Sequence, residues 1–473
     1  MASRAGRAAA ERNLPMMRSP LLICLSLLAL TTSPAAAKTC TPTWVSGWAS
    51  SQFRPTGDAA LPAGTLKDQS LRQIVRPSIA GDRLRVRISN LAGTAPLHIA
   101  GVSIARAPAS TSPAIDPGTL ISLRFDGSPD LIVPAGADYL SDPVSLPVAA
   151  LDTIAVTIRY QGEPEQTSHP GSRATSWHMP GDHLTDTAMA GAASFDHWFN
   201  LAALEVERCA PARLVVALGD SITDGKGSTT NGNDRWTDRL AQRLQADPKR
   251  RDIAVVNQGI GGNRLLNDGL GPNALARLDR DVLAQPGVTH LVLLEGVNDL
   301  GTLTRDAPVS VEDHKAHVAR IIGAYRQIIA RAHARGIKVI GATIMPFVGN
   351  DYYHADAQNE ADRQAVNAWI RTPGHFDGLV DFDRATRDPA RPDRLLPAYD
   401  GGDALHPNPA GYRTMGDADY ANAEADVAFR SDQDVLDIWR STTDYQRLTP
   451  HQKAARAELQ RRGIRVEGPS VPR

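Results

Sequence analysis

The amino-acid sequence predicts two folded domains of different class, an all-β sandwich of the jelly-roll kind followed by a three-layer α/β/α domain. Residues 41–207 contain short alternating or apolar runs between turn clusters, and no long segment with the 3.6-residue period of a helix. From Arg213 onward, apolar runs alternate with helical patterns, which predicts a parallel sheet with right-handed crossovers. The length of 473 residues is sufficient for two such cores.

The composition gives no electrostatic reason to expect nucleic acid or an anionic membrane as a partner. The chain has 51 Lys and Arg against 52 Asp and Glu, for a formal net charge of -1 at pH 7. A hydrophobic content of 42% with 22% charged residues is typical of a globular protein. Beyond the leader described next, no stretch is apolar enough for a stable membrane anchor, and the sequence leaves the oligomeric state open.

Residues 1–37 have the three regions of an export signal in the expected order. Four arginines precede an apolar core from Leu21 to Leu30, and the small-residue run Ala35–Ala37 follows. The apolar core is too short to span a bilayer permanently; the alternative is a disordered tail. We expect cleavage and a secreted or periplasmic protein, with a β module over 38–210, an α/β domain over 211–430 and a helical tail over 431–473.

The three cysteines fit this expectation. Cys24 lies in the leader, which leaves Cys40 and Cys209 as an even number in an oxidising compartment. The sequence therefore predicts a Cys40–Cys209 disulfide, with two unpaired buried thiols as the alternative. No spacing of metal ligands is present, so we expect neither a metal site nor a cofactor.

Periodicity and turn residues predict the individual elements. In the β module the clearest strands are Leu84–Ile88, Leu97–Ile104, Ser122–Phe125 and Ile154–Tyr160. In the α/β domain the predicted strands are Leu214–Leu218, Ile253–Asn257, His290–Glu295, Lys338–Ile344 and Leu379–Asp381. The predicted helices are Arg235–Gln245, Asn273–Ala284, Val311–Ala334 and Glu360–Arg371, with a tail helix that has Thr449 as N-cap and Pro450 at its first position.

A candidate nucleophile stands at the end of the first α/β strand. Leu214–Leu218 runs into Gly219-Asp220-Ser221, and ligands of open α/β sheets bind at the carboxyl ends of the strands. A candidate base comes late in the chain, where Asp403 and His406 lie three residues apart on a turn. The carboxylate can then orient the imidazole toward the serine. By itself a D-x-x-H pattern is more commonly a cap and a surface histidine, so its weight depends on the other residues of the site.

Candidate oxyanion donors follow the next two strands. The glycine-rich loop Gln258–Arg264 comes after the second strand, and Asn298 comes just after the third. We expect the backbone N–H groups of Ser221 and Gly262 and the side-chain amide of Asn298 to form an oxyanion hole. Taken singly, each glycine could serve only a turn and Asn298 could be a cap. Three consecutive strands that each deliver a donor make the catalytic interpretation stronger.

Four sequence blocks, GDSITDG, NQGIGGNR, GVND and DALHP, resemble the successive motifs of the SGNH (GDSL) hydrolase family over roughly Arg213–Gly416. The resemblance implies a flavodoxin-like sheet, with Ser221 as nucleophile and first oxyanion donor, Asn298 as third donor, His406 as base and Asp403 as its orienting partner. Aligning the second block as N-x-x-I-x-G selects Gly262 as second donor, rather than the neighbouring glycines at 259 and 261.

The β-rich segment resembles, through TWVSGWASSQF and LRQIVRPSIAGDRLRVRISN, the module that precedes this domain in exported bacterial members associated with xylan and related polysaccharides. The resemblance implies an exported serine esterase that removes acyl groups, above all acetyl, from plant-type polysaccharide or its oligomers. A lipase or arylesterase acting on small acyl esters is the alternative within the same chemistry, and a catalytically silent glycan-binding protein is the alternative outside it. Four tryptophans of the β module could stack on sugars: Trp44, Trp48, Trp177 and Trp198. Core packing is the simpler role for at least half of these four.

Overall fold

A computed structural model describes residues 41–425, 435–436, 439–440, 448, 450–461 and 464. The described residues belong to one compact unit. The predicted leader, Cys24, Cys40 and the proposed cap Thr449 lie outside them. Within the described residues, no helix combines the length and the apolar character that crossing a membrane requires.

Residues 43–208 form antiparallel β structure, as the sequence predicts. One sheet has the order β1-β14-β3-β7 with β8 beside β3, and the other has the order β12-β11-β2-β9-β4-β5 with β6 beside β4; β10 pairs with β13. The strands are β1 Thr43–Ala49, β2 Gln69–Val75, β3 Gly81–Ser89, β4 Leu97–Arg106, β5 Ile121–Ser122, β6 Leu131–Val133, β7 Asp138–Leu140, β8 Val144–Val148, β9 Ile154–Tyr160, β10 Ser168–Pro170, β11 Ser176–Pro180, β12 Ala193–Phe195, β13 His197–Phe199 and β14 Leu201–Arg208. The alternation that predicts β3 places Leu84, Val86 and Ile88 in the core, each fully buried.

One predicted strand of this part is shorter than expected. Of Ser122–Phe125 only Ser122 is in a strand, because the chain turns back at Phe125, which pairs with Ser128. Asp126 and Gly127, with φ of 52° and 78°, form that reversal. Leu123 and Phe125 stay buried, so the apolar pattern reports core packing rather than strand length.

The second part of the chain is a five-stranded parallel sheet with helices. Its strands are β15 Arg213–Gly219, β16 Ile253–Gly259, β17 Val288–Leu294, β18 Lys338–Ala342 and β19 Gly378–Val380, in the order β16-β15-β17-β18-β19. The first strand therefore lies between the second and the third, which is the flavodoxin-like order that the resemblance implies. Its helices are α1 Ser221–Asp224, α2 Trp236–Ala246, α3 Ala274–Leu278, α4 Val297–Thr304, α5 Val311–His333, α6 Ala357–Arg371, α7 Phe382–Thr386 and α8 Pro409–Ala425, and a further helix spans Pro450–Arg461.

Two helices differ from the sequence-based expectation. The segment predicted as one helix over Asn273–Ala284 is α3 followed by a π-helical turn, Asp279–Leu283. In this turn Asp281 accepts a hydrogen bond from Ser51 of the β part, so the wider turn occurs where the two parts of the chain meet. The pattern search missed α8, although Asn408 accepts from the N–H groups at 410 and 411 as its N-cap and proline follows at its first position.

The β part and the α/β part share one hydrophobic core and several buried polar contacts. Ser46 in β1 donates its hydroxyl to Gln285 at 2.8 Å, and Val255 in β16 donates its N–H to the Ser78 hydroxyl at 2.8 Å. The proposed boundary near residue 210 falls in the connection between β14 and β15. Cys209 in this connection is disulfide-bonded; its pairing with Cys40 stays a prediction, because Cys40 lies outside the described residues.

Candidate active site

Ser221 is held at the carboxyl edge of the parallel sheet by a tight strand-to-helix turn. It is the first residue of α1, and the preceding Asp220 caps that helix by accepting the N–H of Ile222 at 2.9 Å. Gly219 is required at the end of β15, because a Cβ there would lie 2.2 Å from the Thr223 hydroxyl oxygen. Ser221 is 6% exposed, so its hydroxyl lies in a largely desolvated setting.

The Ser221 hydroxyl is joined to a histidine and an aspartate by two short hydrogen bonds. Ser221 Oγ lies 2.7 Å from His406 Nε2, and His406 Nδ1 lies 2.6 Å from Asp403 Oδ2. Because the carboxylate accepts the proton on Nδ1, Nε2 is left with the lone pair that accepts the serine proton. Ser221 and His406, which the sequence selects from positions 185 residues apart, thus form one continuous relay with Asp403.

The turn around Asp403 explains why D-x-x-H spacing produces this geometry. The second carboxylate oxygen, Oδ1, accepts the backbone N–H of His406 at 2.8 Å and of Leu405 at 3.1 Å. Ala404, which directly follows Asp403, has φ of 56°. Burial raises the pKa of Asp403, but the hydrogen bonds from the ring and backbone of His406 outweigh it and hold the pKa below its usual range. The carboxylate therefore stays ionised opposite the imidazole.

Asn298 is oriented from both ends of its amide. Its Oδ1 accepts the Tyr353 hydroxyl at 2.5 Å, and its Nδ2 donates to the Asn263 carbonyl at 2.7 Å. Burial raises the pKa of Tyr353 well above its ordinary value, so this hydroxyl keeps its proton and donates it. With the amide fixed in this way, one hydrogen of its NH₂ group is left for a ligand in the pocket.

The three candidate glycines of the second loop have different surroundings. Gly259 lies inside β16, where a Cβ would come within 2.2 Å of the Asp224 backbone nitrogen, so this glycine serves the packing of strand against helix. Gly261 and Gly262 line the pocket beside Ser221. Gly262 has φ of 71°, the left-handed region that favours glycine. A side chain at 262 would therefore strain the backbone as well as fill the site.

All five predicted catalytic and oxyanion residues line one pocket of about 470 Å³. The rest of its wall combines apolar surface, including Leu270 and Leu405, with the polar or charged side chains of Lys226, Arg264, Thr302, Arg305, Asn350 and Tyr352. In the described part of the chain, no group of three or more histidine, cysteine or acidic side chains could hold a metal ion. The pocket thus brings together a serine hydroxyl, an imidazole with its carboxylate partner, and a side-chain amide.

Arg277, which no sequence motif indicated, forms hydrogen bonds with the ends of β15 and β16 beneath the pocket. It is fully buried and donates to the carbonyl of Gly219 at 2.9 Å and to the carbonyl of Gln258 at 2.6 Å, at the ends of β15 and β16. It also donates to Asn263 Oδ1 at 2.7 Å, and the Asn263 carbonyl in turn accepts from Asn298. One guanidinium therefore fixes the strand ends that carry the nucleophile and the oxyanion donors.

His169 of β10 makes a second link between the β part and the nucleophile. Its Nε2 lies 2.8 Å from Asp224 Oδ1, in the last position of α1, and its Nδ1 lies 2.9 Å from the Ser51 carbonyl. A carbonyl only accepts, so Nδ1 donates its hydrogen to Ser51, and Nε2 is the atom that contacts the Asp224 carboxyl. No sequence motif surrounds His169, and only its position in the fold shows its role.

Three acidic residues lie beneath the site without entering the pocket. Burial is the main reason that the pKa of Asp220 rises to about 7 and that of Asp299 to about 6, and it also raises the pKa of Glu295. Asp299 accepts the N–H groups of Leu265 and Leu266, so it shapes the second loop. These carboxyls support the backbone around the site.

The fold and the site define a carboxylic ester hydrolase of the α/β class. The sequence model of the "GDSL-like Lipase/Acylhydrolase family" matches residues 217–414, a range that contains the five predicted catalytic and oxyanion residues. Residues 217–414 thus match the SGNH (GDSL) family, which the sequence blocks GDSITDG, NQGIGGNR, GVND and DALHP resemble. No curated protein matches the chain.

Several solved structures are similar to the α/β part. An acetylxylan esterase from Geobacillus stearothermophilus has 22% identity and a TM-score of 0.33, over 45% of this chain and 94% of that one. A GDSL-like lipase from Bacteroides thetaiotaomicron has 20% identity and a TM-score of 0.33, over 45% of this chain and 87% of that one. An alpha/beta hydrolase enzyme from the metagenome of Lake Arreo, Spain, has 24% identity and a TM-score of 0.34, over 46% and 96%.

Proposed function

We propose that the chain is a serine esterase that removes acetyl groups from a carbohydrate through an acyl-enzyme intermediate. The observation that carries this proposal is the unbroken pair of hydrogen bonds from Ser221 Oγ to His406 Nε2, 2.7 Å, and from His406 Nδ1 to Asp403, 2.6 Å. A buried serine joined to a base and an orienting carboxylate is the arrangement that acyl transfer needs.

In the first half of the proposed reaction, Ser221 Oγ attacks the ester carbonyl while His406 Nε2 takes the hydroxyl proton. Negative charge then develops on the former carbonyl oxygen, and the N–H groups of Ser221 and Gly262 and the free amide hydrogen of Asn298 stabilise it. His406 next gives its proton to the leaving alkoxide, which departs as the sugar hydroxyl. Asp403 remains ionised and stabilises the imidazolium throughout.

In the second half, a water molecule attacks the acyl-enzyme carbonyl. His406 removes a proton from the water, the same three donors hold the second oxyanion, and the proton returns to Ser221 Oγ as the carboxylic acid leaves. The His406 imidazole, 2.7 Å from Ser221 Oγ, serves as the base for this water as it does for the serine.

The wall of the pocket favours a short acyl group on a polar alcohol. Among its described lining residues only Leu270 and Leu405 have aliphatic side chains, whereas a long acyl chain requires a continuous aliphatic surface. Tyr352 is 60% exposed at the pocket, and an exposed aromatic face of this kind can pack on the C–H face of a sugar ring. These features support an acetylated carbohydrate over a lipid.

We also propose that the protein is exported. The charged, apolar and small-residue regions of residues 1–37 support this, as does the disulfide at Cys209, since disulfides persist in oxidising compartments. Fractionation of the native host, with and without residues 1–37, tests the proposal; retention of the full-length chain in the cytosol would contradict it.

The test of activity is acetate release from acetylated xylan, pectin and mannan, with Ser221→Ala as the matched variant. We expect release from at least one of these polymers and a fall of about 10⁴-fold or more in kcat for the variant. Circular dichroism checks that the variant is folded. Full activity in folded Ser221→Ala protein would exclude the mechanism.

A series of aryl esters separates the esterase from the alternative of a lipase or broad arylesterase. We expect kcat/KM to fall as the acyl chain lengthens from acetyl to octanoyl. A rise along the series would favour a lipase. Binding to an insoluble acetylated polysaccharide without any acyl release would instead favour a silent glycan-binding protein.

A further inference from the structure

The wall of the active-site pocket has an excess of positive charge. Lys226, Arg264 and Arg305 line it, and among the described lining residues the one carboxylate is Asp403. Asp403 is already committed to the His406 ring and to two backbone N–H groups. The chain as a whole is nearly neutral, at -1, so the three cations are a local feature of this pocket rather than a reflection of the composition.

Each cation lies within a few residues of a proposed catalytic or oxyanion residue, or at the end of the helix that contains one. Lys226 follows Ser221 after α1, with its backbone N–H bound to the Ser221 carbonyl at 2.9 Å. Arg264 lies two positions after Gly262. Arg305 directly follows the C-terminal end of α4, the helix that contains Asn298. The charges are therefore held at the site by the same segments that hold the reacting groups.

Two of the three cations have no carboxylate partner within ion-pair distance among the described residues. Lys226 is exposed at the pocket, and Arg264 donates to a backbone carbonyl, that of Asp268. The Asp268 carboxylate is engaged elsewhere, because its Oδ1 accepts hydrogen bonds from the backbone and the side chain of Asn273, each at 2.8 Å. These bonds are the main reason that the pKa of Asp268 is lowered, and the nearby charge of Arg264 contributes less. Arg264 Nε is buried without a hydrogen-bond partner in the described part of the chain.

The third cation is partly compensated and serves to hold an aromatic ring. Arg305 contacts Asp306, whose side chain is 78% exposed, and donates to the Tyr352 hydroxyl at 2.7 Å. The guanidinium carbon lies 5.2 Å from the Tyr352 ring centre. The ring that could pack on a sugar is thereby fixed beside a positive charge.

We propose that the alcohol part of the substrate carries a carboxylate, so that the enzyme deacetylates an acidic sugar such as a uronic-acid unit. This inference rests on the proposed esterase function and names the substrate class of the same site. Lys226 and Arg264 bind the carboxylate, and Tyr352 packs on the sugar face. A neutral acetylated sugar would offer no charge to either cation and would bind less tightly.

The test compares a mono-O-acetylated methyl hexuronoside with its neutral uronamide, which has the same shape. We expect kcat/KM to be about tenfold higher for the acid, since a solvent-accessible ion pair with each cation contributes a factor of roughly 2–5. The preference should shrink as salt is added. In Lys226→Ala and Arg264→Gln it should fall toward one, and in Lys226→Glu it should reverse.

Lys315→Ala is the matched control, because Lys315 is an exposed cation on α5 outside the pocket. It should keep the preference of the wild type. A ratio of one for the wild-type protein, or a ratio that Lys226→Ala and Arg264→Gln leave unchanged, would overturn the inference.

A second measurement separates this inference from the proposed function. Calorimetry on the Ser221→Ala protein compares binding of the same two compounds without any turnover. Tighter binding of the acid supports the inference even where acetate release fails, and a failure of release by the wild type contradicts the esterase proposal alone. Equal binding of the acid and the amide contradicts the inference alone.

Discussion

The two parts of the molecule contribute different things to the same site. Every described residue that lines the catalytic pocket comes from the α/β part, between Ser221 and His406. The β part instead contacts the underside of the site, through His169 on α1 and through Ser51 on the π-helical turn that follows α3. The α/β part therefore forms the pocket, and the β part contacts the segments beneath it.

The tryptophans of the β part lead to the same conclusion. Trp177 and Trp198 are 8% and 7% exposed, and Trp48 packs edge-on against Trp198 at 4.8 Å between ring centres. The Arg85 guanidinium covers the ring of Trp44, at 4.2 Å from its centre. These rings are engaged within the protein, which favours core packing over sugar stacking, whereas the exposed ring at the pocket, Tyr352, belongs to the α/β part.

If the β part acts as a support, the largest effect of breaking its contact should be on stability. His169→Ala leaves the buried Asp224 carboxylate without its partner and should lower the free energy of unfolding by about 3–5 kcal/mol. Urea titration measures this. His98→Ala, at an exposed position in β4, is the matched control and should change it by less than about 0.5 kcal/mol. Equal stability of the two variants would contradict the supporting role.

If the α/β part holds the chemistry, loss of an amide donor should affect kcat. Asn298→Ala removes one oxyanion donor and should lower kcat by about 10²–10³, while the protein stays folded at the assay temperature. Kinetics on an aryl acetate, with circular dichroism, measure both properties. The control is Gln327→Ala, which removes an exposed side-chain amide on α5, outside the pocket. A kcat within threefold of the wild type (an order-of-magnitude threshold for one lost donor) would show that Asn298 is not a donor.

Tyr353→Phe tests whether the orientation of the Asn298 amide matters, and it should have a smaller effect than Asn298→Ala. It removes the hydroxyl that fixes the Asn298 amide and should lower kcat by about tenfold, which corresponds to the loss of one hydrogen bond. The effect should vanish when Tyr353→Phe is added to Asn298→Ala, because the amide is then already absent. Tyr139→Phe, on an exposed ring in β7, is the control. Additive losses in the double variant would assign Tyr353 a different role.

The smallest predicted effect concerns pH. The pKa of Asp220 is raised on folding to about 7, so its contribution to stability is present below its unfolded pKa and is lost as pH rises through about 7. Asp220→Asn should therefore flatten the fall in the free energy of unfolding between about pH 4 and pH 7, where the slope is at most about 1.4 kcal/mol per pH unit. The exposed Asp58→Asn should leave the slope unchanged. An unchanged slope in Asp220→Asn would contradict the burial argument.

The sequence was sufficient to predict the parts of the site that local chemistry determines. Asp403 and His406 are predictable from a three-residue spacing because the carboxylate binds the backbone of its own turn. Ser221 is predictable because the apolar run Leu214–Leu218 ends at a glycine-aspartate turn that directly precedes it. The parallel sheet follows in the same way from alternating strands and helices.

The supporting residues could not be predicted, because their contacts join positions far apart in the chain. Tyr353 contacts Asn298 across 55 residues, and His169 contacts Asp224 across 55 residues. Arg277 looks like an ordinary helical arginine until the ends of β15 and β16 are placed around it. Such residues lie in no motif, and only the folded backbone shows what they position.

The central claim, a single nucleophile at Ser221 activated by His406, is tested most directly by covalent trapping. A fluorophosphonate should react once per chain, and mass spectrometry of the digested protein should place the adduct on the peptide containing Ser221. His406→Ala should react far more slowly. An adduct at a different residue, or full ester hydrolysis by protein that carries the adduct at Ser221, would contradict the account.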